Sequence, residues 1–136
     1  MIQVQFVPLE HFYQVWPIVE PMLKKSLDAS PGDVGIEHLK VYILGKLQTL
    51  IVAVENGTII GAGTLQIENQ PNNRVMSITT TGGRGIANKE VFSQVETWAK
   101  SQGVTKIKVV ARELQARLYR QKLGLVTEMY VMEKLI

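Results

Sequence analysis

Asn56-Gly57 stands between two strand-like runs, Leu50-Ile51-Val52-Ala53-Val54-Glu55 before it and residues 58–68 after it. Asn-Gly tolerates positive φ at both central positions of a two-residue turn, so it closes a β-hairpin. The middle of the chain is thereby committed to antiparallel sheet. Leu50 to Glu55 reads as a buried strand, because apolar residues run through it almost without interruption. Gly61 and Gly63 weaken the return strand and mark a bulge or the close approach of another backbone.

The flanking segments alternate between the two periodicities. Residues 2–7 alternate apolar and polar and end at Pro8, a strand. Phe12, Val15, Trp16, Val19, Met22, Leu23 and Leu27 then follow helical spacing, and Pro17 and Pro21 are expected to kink or divide that helix. Residues 28–33 read as a loop, and Ile36, Leu39, Ile43, Leu44 and Leu47 mark one face of a second helix. Past the hairpin, residues 70–73 form a turn and Arg74 opens a strand reaching about Thr80. Val91, Phe92, Val95, Trp98 and Ala99 share a helix face, and Gly103 stops the helix. Ile107, Val109 and Ala111 define a strand, residues 114–123 a short basic helix, and residues 126–136 a last strand. The order is β-α-α-β-β-β-α-β-α-β. This predicts an α/β (α+β) domain over 1–136, with one mixed, mostly antiparallel sheet flanked by helices.

A chain of 136 residues fits one domain, and 46% hydrophobic residues suffice for a core. No apolar run approaches the roughly 18 residues of a membrane span. No basic n-region or cleavage site stands at the start, so no signal peptide is expected, and a cytoplasmic location follows. The absence of cysteine removes disulfides, thiolate metal sites and a cysteine nucleophile together. Two histidines, His11 and His38, are too few and too distant for a zinc site, so no metal is expected. A net charge of +3 suits an anionic ligand such as a nucleotide without demanding nucleic acid.

The segment with the most chemical content is Thr79-Thr80-Thr81-Gly82-Gly83-Arg84-Gly85-Ile86-Ala87-Asn88-Lys89. It leaves a strand, crosses three glycines within four residues and opens a helix. Amides at a helix start bind phosphate, and glycine lets the backbone approach the anion. Arg84 and Lys89 add positive charge. A glycine-rich turn before a helix also serves as a plain tight turn. Neither the P-loop nor the Rossmann pattern is matched.

Gly82-Gly83-Arg84-Gly85-Ile86-Ala87 resembles the pyrophosphate loop of the GNAT superfamily of acyl-CoA-dependent N-acyltransferases, Arg/Gln-x-x-Gly-x-Gly/Ala. Gly85 and Ala87 take the small positions, Ile86 the aliphatic one and Arg84 the common basic one, whereas Gly82 stands where Arg or Gln is usual. Ala116-Arg117-Leu118-Tyr119-Arg120-Gln121-Lys122-Leu123-Gly124-Leu125 resembles the ending of the family's last helix, and the element order matches over nearly the whole chain.

The resemblance implies acetyl-CoA as acyl donor, lying where two parallel strands splay apart. Ser77, Ile78, Thr79 and Thr80 would serve the pantetheine arm, and Gly83, Arg84, Gly85, Ile86 and Ala87 the pyrophosphate. The two N-terminal helices and residues 28–35 would shape the acceptor site. The implied partners are a CoA thioester and an amine, with a second copy of the chain as a candidate and neither membrane nor nucleic acid.

Acyl transfer needs a base for the amine, donors for the oxyanion and an acid for the thiolate. Without cysteine, direct attack by the amine is the economical route. The family's acid is often a tyrosine of the last helix. Alignment on Gly124 puts Arg120 at that position and Tyr119 one residue earlier, where it could instead face the core. Glu68 is the candidate base, with Glu55 behind it; the plainer reading of both is a solvated charge. His38 lies near the presumed acceptor opening, and Trp16 and Trp98 fall on apolar helix faces and read as core. Two further readings stand beside the enzyme. A GNAT-fold binding or structural module that has lost its chemistry is favoured by Gly82 and Arg120. An RNA-binding sheet would need exposed strand aromatics, and the central hairpin has none.

Overall fold

The computed structural model describes residues 1–29, 32–85 and 88–136. Five strands form one sheet in the order β1-β2-β3-β4-β5: β1 (Ile2–Phe6), β2 (Thr49–Glu55), β3 (Thr58–Asn69), β4 (Arg74–Gly83) and β5 (Lys106–Val109). The first four pair antiparallel and β5 joins β4 in parallel. The helices are α1 (Phe12–Asp28), α2 (Ile36–Leu44), α3 (Lys89–Ser101) and α4 (Glu113–Leu123), with a short 3-10 turn, Leu9–His11, before α1.

The hairpin turn has φ of 51° at Asn56 and 77° at Gly57, the geometry that its sequence predicts. The two sheet faces are filled separately. Phe12, Trp16, Val19 and Leu23 of α1, with Leu39 and Ile43 of α2, pack on Leu50, Val52 and Ala62. Val95 and Ala99 of α3 pack on the opposite face, against Ile51, Leu65 and Met76. Both tryptophans belong to these cores: Trp16 stacks on Phe12 at 5.0 Å and Trp98 on Phe6 at 4.4 Å. The Gln94 side chain accepts from the Val4 amide and donates to the Ile2 carbonyl, covering the outer edge of β1 as a short partner strand would.

Two expectations are corrected. Pro17 and Pro21 neither end nor divide α1, which runs unbroken for 17 residues. Both prolines are exposed, and the carbonyls they deprive, those of Tyr13 and Pro17, belong to exposed residues, where solvent is available to replace the lost donor. The last strand is absent: residues 126–136 carry no regular structure and are exposed throughout. Their strand propensity finds no paired edge, and propensity alone does not form a strand.

Among the described residues no helix is long and apolar enough to cross a membrane.

Candidate functional site

The site begins where β4 and β5 part. Their pairing runs from Val75↔Lys106 to Ile78↔Val109, and β4 continues alone on that side through Thr79, Thr80 and Thr81. Two small clefts open there. One, of about 210 Å³, lies between Thr81, Gly82, Gly83 and Gly85 and the α4 residues Gln115, Leu118 and Tyr119. The other, of about 80 Å³, is bounded by Ser26 and Leu27 of α1, by Ile78 to Thr81, by Val109 and Val110, and again by Gln115 and Tyr119. Gln115 and Tyr119, one helical turn apart, face both.

This placement separates the two α4 candidates. Tyr119 is buried and lines both clefts. Arg120 is exposed, and its Nη1 donates to the Thr127 hydroxyl at 2.9 Å, outside the clefts. The residue in the family's usual position points away, and its neighbour takes the inward direction.

β4 carries one extra residue opposite β3. Thr64 pairs with Thr80 and Leu65 with Ile78, so Thr79 is bulged out of register. Its hydroxyl lies 2.6 Å from the hydroxyl of Thr64, which is fully buried, and 2.8 Å from Oε1 of Gln48. The Thr64 carbonyl lies 3.1 Å away. Gln48 Oε1 and that carbonyl only accept, so the single hydrogen of Thr79 serves them and the Thr64 hydroxyl donates to Thr79. Gln48 Nε2 reaches Gln66 Oε1 over a long 3.5 Å, and Gln66 Nε2 donates to Glu68 Oε1 at 2.9 Å. Every donor in this chain points toward Glu68, an arrangement in which the bonds polarise one another.

Glu68 stands at the exposed end of β3, paired with Val75, and its second oxygen accepts from Gln70 at 3.3 Å. Val75 is four residues before Thr79, about 13 Å along an extended strand. Glu55 lies at the hairpin turn at the other end of the sheet's middle. His38 accepts from the Gly35 amide through Nδ1 at 2.9 Å, which ties its ring to the start of α2.

The loop after β4 departs from the expected cradle in detail. The Arg84 amide donates to the Ile60 carbonyl at 2.7 Å. The Asn88 side chain caps α3 by accepting from the amides of Glu90 and Val91. Those three donors are committed within the protein. Gly83 and Gly85 adopt positive φ, 73° and 85°, and the Arg84 and Lys89 side chains are exposed. Ile86 and Ala87, the remaining predicted phosphate contacts, lie outside the described residues.

Gly82 has its own physical reason. A Cβ there would run into the backbone carbonyl of Met22 in α1. The helix therefore lies directly on β4, and no long side chain fits between them. Gln48, Thr64, Gln115 and Ser26 were not legible as site residues. Only Thr64, a hydroxyl in an otherwise apolar stretch of β3, leaves a trace in the sequence.

No group of three or more metal-ligating side chains that could hold an ion occurs among the described residues.

No protein-family model and no curated protein matches the chain. Solved structures do. An aminoglycoside acetyltransferase from an uncultured soil metagenomic sample, solved with sisomicin, is similar over 99% of this chain and 95% of its own, with a TM-score of 0.74 and 12% identity. A predicted acetyltransferase from Clostridium acetobutylicum, solved with acetyl-CoA, covers 98% and 96% of the two chains at a TM-score of 0.65 and 15% identity. Glucosamine-6-phosphate N-acetyltransferase from Arabidopsis thaliana covers 99% and 98% at a TM-score of 0.65 and 16% identity. With this topology, the parting of β4 from β5 and these likenesses, the chain has the GNAT acetyltransferase fold.

Proposed function

We propose that the chain is an acyl-CoA-dependent N-acyltransferase that moves an acetyl group from acetyl-CoA to an amine by direct attack. The observation that carries this reading is the cleft at the divergence of β4 and β5, faced by Thr79 to Thr81 on one side and Tyr119 on the other. A protein of similar fold was solved with acetyl-CoA, and another, an aminoglycoside acetyltransferase, with sisomicin.

The residues present fit acetyl-CoA. The stretch of β4 that β5 leaves unpaired offers backbone groups to an extended amide-bearing arm, and a cleft borders the glycine turn, whose Arg84 is exposed, as is Lys89 beyond it. With three amides around the α3 start already bonded, those side chains carry much of the attraction for a pyrophosphate. Bound acetyl-CoA supplies an activated acyl carbon on a thioester.

The chain's own groups then divide the work. Ser26 and Leu27 of α1 and the β4 bulge hold the amine against that carbon. As the new C–N bond forms and the C–S bond breaks, Tyr119 donates its hydroxyl proton to the departing thiolate. Glu68 takes the amine proton; at its distance from Thr79 it does so through solvent. A non-catalytic module of the same fold is the second reading, favoured by Gly82 in place of the basic or amide side chain.

Thermal unfolding with CoA and acetyl-CoA, together with thiol release in the presence of amines, tests the reading. Ligand at 100 times its Kd adds about 2.7 kcal/mol of stability. An unchanged Tm in millimolar CoA would remove the acyltransferase.

A further inference from the structure

On the face of the sheet that α1 and α2 partly cover, two register rows cross β3, β4 and β5. One row is Gln66–Ser77–Lys108 and the other Glu68–Val75–Lys106. Residues paired across a sheet share a face, and neighbouring strands lie about 4.8 Å apart, so each row is about 10 Å wide. Ile107, between the two lysines, pairs with Met76 and packs on the opposite face with α3. Lys106 and Lys108 are thus side by side, exposed, on the face that carries Gln48, Gln66 and Glu68.

Among the described residues neither lysine has a carboxylate within ion-pair distance. Glu68, at the far end of the Lys106 row, is engaged by Gln66 and Gln70. Two like charges at i and i+2 on a strand repel, and an anion placed between them relieves that repulsion. The pair also has a bland use, since charged residues on an edge strand discourage aggregation. Position favours a ligand. Ser77, the β4 neighbour of Lys108, is two residues, about 7 Å, before the Thr79 bulge where the two strands part. A small molecule whose amine reaches the cleft at Thr79 lays its other end beside Lys108, with the Gln48–Gln66 amides along its flank.

We propose, on the acetyltransferase reading of the cleft, that the acceptor is a small amine bearing an anionic group, carboxylate or phosphate, and that Lys108 binds this group with Lys106 beside it. The pair sets acceptor specificity without touching the reacting atoms.

Calorimetry tests this in two stages, the first being CoA binding to the parent protein. The second titrates, in saturating CoA, phosphoethanolamine against ethanolamine and β-alanine against β-alaninamide. At least one anionic member binds tenfold or more tighter than its neutral partner, and which one does so separates phosphate from carboxylate. That preference disappears in Lys108→Gln, weakens in Lys106→Gln and survives in Lys108→Arg, which keeps the charge. Equal binding of charged and neutral partners, a preference that persists in the double glutamine variant, or no binding of any of the four would overturn the proposal. Failure of CoA itself to bind would instead remove the acetyltransferase reading, and the same titrations without CoA would still decide the role of the lysines.

Discussion

Gly82 of β4 lies directly beneath the backbone carbonyl of Met22, in the second half of α1. This contact presses the helix onto the strand and brings Ser26 and Leu27 to the cleft. Gly82→Ala forces helix and strand apart, and overpacking of this kind costs about 1–3 kcal/mol. The urea midpoint should fall accordingly. Gly82→Arg, which restores the residue type usual in the family's loop, should destabilise further and bind CoA no better. A stable Gly82→Arg protein with improved CoA affinity would show that α1 does not rest on this glycine.

Phosphate recognition is best probed through Arg84. Substitution at Gly85 confounds binding with strain, because its φ is 85°. Arg84 is exposed, and its side chain is free of that constraint. Arg84→Glu should weaken CoA at least tenfold with little change in Tm, and the parent affinity should fall as salt is raised. Unchanged affinity would put the pyrophosphate elsewhere.

Tyr119 and Arg120 make a paired test of register. Tyr119→Phe removes the one hydroxyl that α4 brings to the cleft and should lower kcat by ~10²–10⁴-fold, the range of general acid catalysis. Arg120→Ala removes the bond to Thr127, outside the clefts, and should leave kcat within a factor of about two. The reverse pattern would mean that α4 is rotated in solution.

Thr64 and Thr79 offer a stability test independent of catalysis. Thr64→Val keeps the shape of a fully buried side chain and removes the donor to Thr79, a loss of about 1 kcal/mol for a typical hydrogen bond. A double-mutant cycle with Thr79→Val should give a coupling energy of roughly 0.5–3 kcal/mol. Additive effects would show that the two hydroxyls do not cooperate.

Much of the scaffold is legible residue by residue. Asn56-Gly57 specifies its turn because few dipeptides tolerate positive φ twice. Phe12, Trp16, Val19 and Leu23 mark the buried stripe of α1 because they recur at the helical period. Gly103 stops α3 with a φ of 77°, a conformation its residue type permits. Each of these signals is local, so it survives without knowledge of what lies across the fold. Residues 126–136 show the limit of that kind of reasoning. Their alternation is real, but a strand exists only where another backbone accepts its hydrogen bonds.

The site was legible to a different degree. The glycine-rich turn and its junction with a helix announce themselves, since backbone freedom is written in residue type. The inward direction of Tyr119 and the outward one of Arg120 are not, because a one-residue shift turns a helical side chain by about 100° and only packing sets the helix's rotation. Nor does the sequence relate Gln48 to Thr79, or Ser77 to Lys108, across 31 residues in each case. What the sequence by itself determined is the set of elements and their order, which follow from local periodicity and turn chemistry. The tertiary structure alone decided which polar groups meet at the parting of β4 and β5. That outcome depends on strand register, the Thr79 bulge and the seat of α1 on Gly82, all of which are interactions between distant segments.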